Sequence, residues 1–360
     1  MELSAAILLR LVRAGLGCED TGGPGAAGSW PEVYALAVRQ GVLAVAWDGL
    51  RLLEQGGFEG PDRRLRLRWA YNVQAMEELY ARQQRAVGRL ARFLSGQDIP
   101  VMLLKGCGLA LDYPVPEHRP CGDIDIYLYG AWRRADEILQ RVSGIKIDRD
   151  KHHHTVFTLD GIAVENHYDI FNVRAHRSNA EIDRILKSMA DTDTRVMIGE
   201  GTVCLPSADF NALFLLRHAG AHFSAAEIGL RHIVDWAMFV RRHHGEIDWP
   251  RIEDIARRHN MDRFLHCLNA LSIDILGVGE SCFPPFERDG SLEQRVLAEV
   301  LHPAFAERIP KRGFLQIMVF KLRRWWSGRW KHRIVYREGL VAMFFSQLRS
   351  HLESPEAMKD

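Results

Sequence analysis

Two aspartates stand one residue apart in the stretch RPCGDIDIYLYG, which runs from Arg119 to Gly130. Its alternating apolar residues predict a β-strand, in which residues two positions apart point to the same face. Asp123 and Asp125 therefore share one face of the strand, and the apolar residues fill the other. Because neighbouring carboxylates repel each other and lose hydration on burial, their face must either meet solvent or hold a divalent cation. Mg²⁺, which takes carboxylate and phosphate oxygens, is the ion that such a pair favours.

A glycine-containing turn precedes this strand. The run LLKGCGL predicts a short buried strand that ends at Lys105, followed by a turn and a helix. Gly106 and Gly108 allow a ligand to approach the backbone closely, and the N–H groups at a helix start can hold phosphate oxygens. Lys105 and Arg119 add cations to the same region. An ordinary tight turn is the alternative interpretation.

A hairpin is predicted after the strand. The run HTVFTLDGIAVENHYDIF reads as two strands that turn at Asp160-Gly161. In the second strand Glu165, His167 and Asp169 are two positions apart, so they share a face. Glu165 would then be a third carboxylate that faces the aspartate pair. A hairpin with one polar face is the alternative.

Taken together, these motifs resemble a known superfamily. A strand ending in Lys-Gly, a helix, a strand with D-x-D and a later strand with one acidic residue resemble the DNA polymerase β-type nucleotidyltransferases. More narrowly, the chain is similar to the bacterial family of uncharacterised nucleotidyltransferases, from about residue 30 to the C-terminal region. The stretches that carry this similarity are LLKGCGLALDYPVPEHRPCGDIDIYL, HHHTVF, VENHYDIF and LPSADFNALFLLRHAGAHF…GLRHIVDWAMF.

The resemblance implies two-metal nucleotidyl transfer with Mg²⁺, or with Mn²⁺ as the alternative ion. Asp123, Asp125 and Glu165 would be the catalytic residues and the metal ligands, with Glu165 holding the second ion or taking the acceptor's proton. Cys107 stands where the superfamily usually has serine, and a thiol is a poor donor to phosphate. The phosphate contact is therefore expected from the backbone or from Lys105. The expected nucleotide-binding residues are Lys105, Gly106, Cys107, Arg119 and Gly122.

The expected reaction moves a nucleoside monophosphate from an NTP, such as ATP, to an acceptor and releases pyrophosphate. The residues leave the acceptor open between a glycan phosphate, a small molecule, RNA and protein. A catalytically silent nucleotide-binding or partner-binding module on the same fold is the alternative function. A third hypothesis is a peripheral membrane protein that acts through its basic segment, residues 308–337.

Histidines cluster at two places among the 16 in the chain. His154 and His167 belong to the predicted hairpin and are expected to contact substrate. His218 and His222 are four residues apart on a predicted helix, a spacing that can bind a transition metal, but no third ligand is evident. The favoured interpretation is that His218, His222 and Asp235 make polar contacts where a helical domain closes over the active cleft. His218 and His222 are then also expected to contact substrate.

The predicted fold class is mixed α+β, with a nucleotidyltransferase-type α/β core and a small mixed sheet between helical regions. Residues 1–75 form the N-terminal helical region, residues 76–175 the core, and residues 176–360 a C-terminal helical domain. Apolar spacing predicts a long helix from about Val73 to Leu94, with Gly96 as its end. Within the core, KIDRD predicts a further short strand.

The segment 308–337 holds ten lysines and arginines and no acidic residue. Trp325, Trp326 and Trp330 lie among these cations. Three interpretations compete: an amphipathic helix on a membrane surface, a site for an anionic acceptor such as a glycan phosphate or RNA, and a segment that docks on the protein's own acidic body. The last is favoured, with the aromatic residues in the core and the cations in solvent.

Composition gives no sign of an extracellular or membrane-spanning protein. The net charge is +1, so no overall field points to nucleic acid or an anionic membrane. The six cysteines are too scattered for a zinc cage or a disulfide framework. Glu2, Arg10 and Arg13 interrupt the apolar N-terminus, and no apolar run reaches the roughly 18 residues of a membrane span. A cytoplasmic location is expected.

Overall fold

The computed structural model describes residues 2–18, 22, 29–225, 228–303 and 314–339. The α-helices in these ranges are α1 Leu3–Gly15, α2 Trp30–Arg39, α3 Leu43–Gln55, α4 Arg63–Ser95, α5 Cys107–Ala110, α6 Trp132–Ser143, α7 Arg177–Met189, α8 Ala208–Ala225, α9 Leu230–His243, α10 Trp249–Arg258, α11 Asp262–Asp274, α12 Gly290–Leu301 and α13 Phe314–His332. The strands are β1 Met102–Leu103, β2 Ile124–Tyr127, β3 His154–Leu159, β4 Ile162–His167, β5 Arg195–Ile198 and β6 Gly201–Cys204.

The predicted α+β class is confirmed, because a mixed sheet accompanies the helices. The chain forms two compact units, one of residues 1–174 with 179–211 and one of residues 175–178 with 212–360. The first unit holds all six strands. The division at residues 75 and 175 into three regions stays a prediction.

The sheet has six strands in the order β3-β4-β2-β1-β6-β5. The two central strands, β2 and β1, pair antiparallel, while β2 pairs parallel with β4 and β1 pairs parallel with β6. The hairpins β3–β4 and β5–β6 form the two edges. The order of the strands therefore places the DxD strand between the Lys-Gly strand and the strand that carries Glu165.

One face of the sheet is the core of the first unit. Ile124, Ile126 and Leu128 pack there with apolar residues of α4 and α6, as their alternation with the aspartates predicts. The other face carries Asp125, Glu165 and His167, because side chains alternate along a strand. The sheet thus separates an apolar layer from a polar face.

The edge hairpin β5–β6 lies within residues 176–360, where only helices were expected, and corrects that expectation. Its residues, RVMI and GTVC, are too short and too irregular in polarity to stand out from the sequence as strands. Gly199, with a φ of 56°, makes the turn between them. The expected KIDRD strand is reduced to an isolated bridge between Asp148 and Val156.

Helix α4 is longer than the predicted span from Val73 to Leu94, because an N-cap fixes an earlier start. The Asp62 carboxylate accepts a hydrogen bond from the Leu65 N–H at 2.8 Å. Trp69, which is fully buried, donates its indole N–H to the Leu43 carbonyl at 2.9 Å. The additional turns therefore join α4 to α3.

The basic segment is described from Phe314 onward, and residues 308–313 lie outside the described part of the chain. Toward the end of α13, Lys331 forms an ion pair with Glu299 at 2.6 Å, and Trp330 packs edge-on against Phe223. Trp326 is 62% exposed. The membrane and acceptor interpretations of this segment stay predictions. No helix within the described ranges is long and apolar enough to cross a bilayer.

Candidate active site

The polar face of the sheet centres on two carboxylates from neighbouring parallel strands. Asp125 of β2 lies directly opposite Glu165 of β4 in the strand register. Asp125 is only 4% exposed, so the solvent-facing alternative does not hold for this residue. Asp123 lies just before β2 and is exposed. The pair therefore consists of one buried and one accessible carboxylate.

Two nitrogen groups surround the buried carboxylate. The Lys105 Nζ lies 2.9 Å from Asp125 Oδ1, and the His167 Nε2 lies 3.3 Å from the same oxygen. Burial opposes ionisation of Asp125, but the Lys105 ammonium and the His167 hydrogen bond hold its pKa below the usual value. Asp125 is therefore a carboxylate at neutral pH.

His167 connects Asp125 to Glu165. Its Nδ1 lies 3.2 Å from the Asp169 carbonyl oxygen, which can only accept, so Nδ1 carries a proton. Its Nε2 then faces Asp125 and Glu165, the latter at 3.4 Å. Burial disfavours the charged ring, but hydrogen bonds to the two carboxylates raise the pKa of His167 above its ordinary value. In the absence of a metal ion, Nε2 thus holds a proton between the carboxylates.

The charges at this face do not balance. Within the described part of the chain, the carboxylates of Asp123, Asp125 and Glu165 are met here by the Lys105 ammonium and at most one imidazolium, that of His167. Partial burial and the charges of Glu165 and Asp125 raise the pKa of Asp123. Oxygen and nitrogen atoms of Asp125, Glu165 and His167 also lie within 4.8 Å of one another. The donor set therefore fits a divalent cation, and the imidazole makes Mn²⁺ as suitable as Mg²⁺.

The turn after β1 brings the backbone next to the DxD strand. Gly106 has a φ of 60° and a ψ of −127°, a conformation that strains any residue with a Cβ. A Cβ there would lie 3.7 Å from the Asp123 carbonyl oxygen. Arg119 is buried and donates from Nη1 to the Gly106 carbonyl at 3.3 Å. These contacts fit a role for Arg119 in holding the turn, and its direct contact with phosphate stays a prediction.

The side chain of Cys107 points away from this face. It is buried in the core of the first unit, where its thiol lies 3.9 Å from the Gln83 amide oxygen. A hydrogen bond with Cys121, together with burial, raises the pKa of the Cys107 thiol. Gln83 in turn donates to the carbonyl of Gly122. Cys107 and Gly122 can therefore serve a nucleotide only through their backbone, as the sequence suggests for Cys107.

The histidine run before β3 lies beside His167. The His154 Nε2 is 3.6 Å from Glu165 Oε1, and burial lowers the pKa of His154 to about 4. The His153 ring centroid is 5.5 Å from that of His167, and burial lowers the pKa of His153 to about 2. His153 was not among the predicted site residues, although the run of three histidines that contains it could have indicated it. Both rings are neutral at neutral pH, so each keeps a nitrogen lone pair that can bind a metal.

The prediction that Asp169 shares a strand face with Glu165 and His167 is wrong, because β4 ends at His167. The Asp169 carboxylate pairs instead with Lys187 of α7 at 2.5 Å, and Lys187 also pairs with Asp183 at 2.8 Å. Asp183 accepts a hydrogen bond from the Ile170 N–H at 2.7 Å. Lys187 was not predicted from the sequence, because the apolar pattern of a helix does not distinguish a lysine that faces the protein from one that faces solvent. This ion-pair group fixes the carbonyl that orients His167.

His218 and His222 lie on α8 in the second unit, where His232 joins them. Their ring centroids are 4.6 Å apart. Asp235 is buried on α9 of the same unit. The substrate contact expected for His218 and His222 stays a prediction. His232 is the third potential metal ligand, which was not evident from the sequence.

A family model for uncharacterised nucleotidyltransferases matches residues 26–277. Neither the curated proteins nor the solved structures give a match. The matched range contains both strands of the carboxylate site, the Lys-Gly turn and the three-histidine cluster. The chain therefore belongs to the uncharacterised nucleotidyltransferase family, whose name indicates a nucleotidyl transfer activity.

Proposed function

We propose that the protein transfers a nucleoside monophosphate from an NTP to an acceptor, with Mg²⁺ or Mn²⁺ and with release of pyrophosphate. The observation that carries this proposal is the buried Asp125 in register with Glu165. Lys105 and His167 already compensate Asp125, but the neighbouring carboxylates of Asp123 and Glu165 add negative charge that a divalent cation would offset. The family match supports the reaction class.

The reaction forms one bond at phosphorus and breaks another. The acceptor oxygen attacks the α-phosphorus, the bond from that phosphorus to the oxygen bridging to the β-phosphate breaks, and pyrophosphate leaves. The acceptor's proton passes to the Glu165 carboxylate, which is partly accessible, with 25% of its side chain exposed. A divalent ion held by Asp123, Asp125 and Glu165 would neutralise the charge that develops on the phosphates.

The remaining residues position these groups. Lys105 holds Asp125 ionised and places a cation beside the Gly106 turn, where the triphosphate would lie against the backbone. Arg119 keeps the Gly106 carbonyl in place from the buried side. His167 is fixed by the Asp169 carbonyl, and its Nε2 is directed at both carboxylates. Positioning and charge neutralisation thus account for most of the expected catalysis.

Pyrophosphate release with each NTP, in Mg²⁺ and in Mn²⁺ and with cell extract as the source of acceptor, tests this function. Asp125→Asn keeps the side-chain shape but removes the charge, and we expect turnover to fall by about 10²-fold or more. Asp193→Asn is the matched control, since Asp193 is an exposed aspartate outside the site. Equal turnover in wild type and Asp125→Asn would overturn the proposal.

Calorimetry separates the enzyme from the silent binding module. If the wild type releases no pyrophosphate but binds an NTP without any divalent ion, the nucleotide-binding module is supported and the transferase proposal fails. If turnover is found, transfer of radioactivity from an α-³²P-labelled NTP identifies the acceptor as a glycan phosphate, a small molecule, RNA or protein.

A further inference from the structure

Three histidines converge in the second unit, and the proposed function uses none of them. His218 and His222 are one turn apart on α8, and His232 lies in the first turn of α9. One nitrogen of each ring lies within 4.8 Å of those of the other two. The ring centroids are 4.6, 5.4 and 6.1 Å apart. Three imidazoles are therefore placed around one point.

His232 is held in a defined tautomer. Its Nδ1 lies 3.3 Å from the Gly229 carbonyl oxygen, and because that oxygen can only accept, Nδ1 carries the proton. In the neutral ring, Nε2 then carries a lone pair and no proton. A backbone carbonyl that fixes Nδ1–H and leaves Nε2 available is the usual outer-shell arrangement of a metal-binding histidine.

The Nε2 of His232 is buried and has no hydrogen-bond partner among the described residues. A buried acceptor without a partner costs about 1–3 kcal/mol. A metal ion bound at this nitrogen would satisfy it.

We propose that His218, His222 and His232 bind a transition-metal ion of the zinc type through their imidazole nitrogens. Neutral imidazole is a preferred ligand of Zn²⁺ and similar ions, and an i,i+4 pair presents two rings on one helix face. Nitrogens bound to tetrahedral Zn²⁺ stand about 3.3 Å apart, so small side-chain rotations from the observed spacing close the site. Three protein ligands leave a fourth position for water or another ligand.

The surroundings support a built site. The His218 ring stacks on Phe214, with centroids 5.6 Å apart and planes 19° apart, which fixes its orientation. His222 is exposed, so an ion can enter from solvent. This inference is independent of the proposed nucleotidyl transfer, and it gives His218 and His222 a role other than the predicted substrate contact.

The test is metal binding by the full-length chain after removal of metals with EDTA. Co²⁺ reports coordination through its visible absorption, which is strong for a tetrahedral site and weak for the hydrated octahedral ion. We expect a tetrahedral Co²⁺ spectrum that Zn²⁺ abolishes, and a loss of at least 10-fold in affinity in His232→Gln. His244→Gln, at an exposed histidine that follows α9, is the control and should bind as the wild type does.

Two further variants keep the result unambiguous. Asp125→Asn impairs the carboxylate site and should leave the Co²⁺ spectrum of the histidine site unchanged. His222→Gln alters an exposed side chain, so it tests the site even if His232→Gln fails to fold, and it should also lose affinity. A wild-type chain without a tetrahedral Co²⁺ spectrum, or a spectrum retained in both His232→Gln and His222→Gln, would overturn the proposal.

Discussion

At the scale of single residues, Asp123 and Asp125 carry the same group in opposite surroundings. Asp125 is buried and has both an ammonium and an imidazole within 3.3 Å. Asp123 is exposed. Lys105 attracts its carboxylate, but the carboxylates of Glu165 and Asp125 repel it. One aspartate is therefore stabilised by its neighbours in the metal-free chain, and the other is destabilised by them.

The two substitutions to asparagine should change stability in opposite directions in EDTA. Asp125→Asn leaves Lys105 without its buried counter-charge, and we expect a loss of about 3 kcal/mol in the free energy of unfolding. Asp123→Asn removes repulsion at an exposed position where solvent screens it, and a gain of about 0.5 kcal/mol is expected. Urea unfolding measures both values. A loss of stability in Asp123→Asn would contradict the charge imbalance described above.

A third titratable residue, His118, joins two helices outside the site. Its Nδ1 lies 2.6 Å from Asp48 of α3, and its Nε2 lies 2.9 Å from Glu77 of α4. Burial opposes the charged ring, but the hydrogen bonds to Asp48 and Glu77 raise its pKa. The folded chain therefore binds this proton more tightly than the unfolded chain does.

This proton linkage predicts a pH-dependent effect of His118→Gln. The stabilisation by His118 is fully present below the unfolded pKa of about 6.5 and is lost as pH rises through the higher folded pKa. We expect His118→Gln to cost about 2 kcal/mol at pH 6 and clearly less at pH 9. Urea unfolding at the two pH values measures this. The exposed His244→Gln should show little effect at either pH, and an equal cost of His118→Gln at both would contradict the prediction.

At the scale of elements, the site depends on how closely α4 approaches the β5–β6 hairpin. A Cβ on Gly88 of α4 would lie 2.5 Å from the Ile198 carbonyl oxygen and 2.6 Å from the Glu200 nitrogen, both of them backbone atoms. Backbone atoms cannot rotate away as a side chain can. Since β6 pairs with β1, this contact helps to position the strand that leads to Lys105.

Gly88→Ala should therefore destabilise the protein, although alanine favours helices over glycine by about 1 kcal/mol. We expect a net loss of about 1–3 kcal/mol in the free energy of unfolding, because overpacking against the hairpin outweighs the helix propensity. Gly290→Ala is the control: Gly290 begins α12, and a Cβ there would meet nothing within 4 Å. Gly290→Ala should be neutral or stabilising, and a stabilised Gly88→Ala would show that the hairpin can move away.

The elements that sequence predicted well are those with a strong local signal. The β3–β4 hairpin follows from Asp160-Gly161 between alternating residues, and both residues do adopt positive φ. The apolar alternation around Asp125 fixed which face is core. The pattern of the hairpin predicted that Glu165 faces the aspartate pair, but it did not give the register of β2 against β4 that sets Asp125 opposite Glu165, since strands 40 residues apart pair through tertiary packing.

The features that sequence did not predict depend on contacts between distant residues. Lys187 looks like a solvent-facing residue of α7, and only the fold brings it to Asp169. Likewise, His232 is ten residues from His222 and becomes a third member of that cluster only when α8 and α9 pack together. Strands β5 and β6, of four residues each, have too little periodicity to be recognised without the partner strand β1.

At the scale of the whole molecule, each compact unit has its own candidate metal site. The carboxylate site belongs to the first unit and the three-histidine site to the second. Their donor atoms differ: oxygens dominate in the first, which favours Mg²⁺ or Mn²⁺, and imidazole nitrogens form the second, which favours zinc-type ions. A difference in ligand chemistry of this kind should let the two sites be filled separately.

Hydrogen exchange read by mass spectrometry can therefore assign each ligand to its unit. Mn²⁺ with an NTP should slow exchange in residues 102–128 and 154–170, and Zn²⁺ in residues 214–235, because a ligand at 100 times its Kd stabilises the state it binds by about 2.7 kcal/mol. Asp125→Asn should abolish only the first effect and His232→Gln only the second. If Zn²⁺ at one equivalent instead protected residues 154–170 and left 214–235 unchanged, the histidines before β3 would be the preferred zinc ligands, and the separation of the two sites by donor type would be wrong.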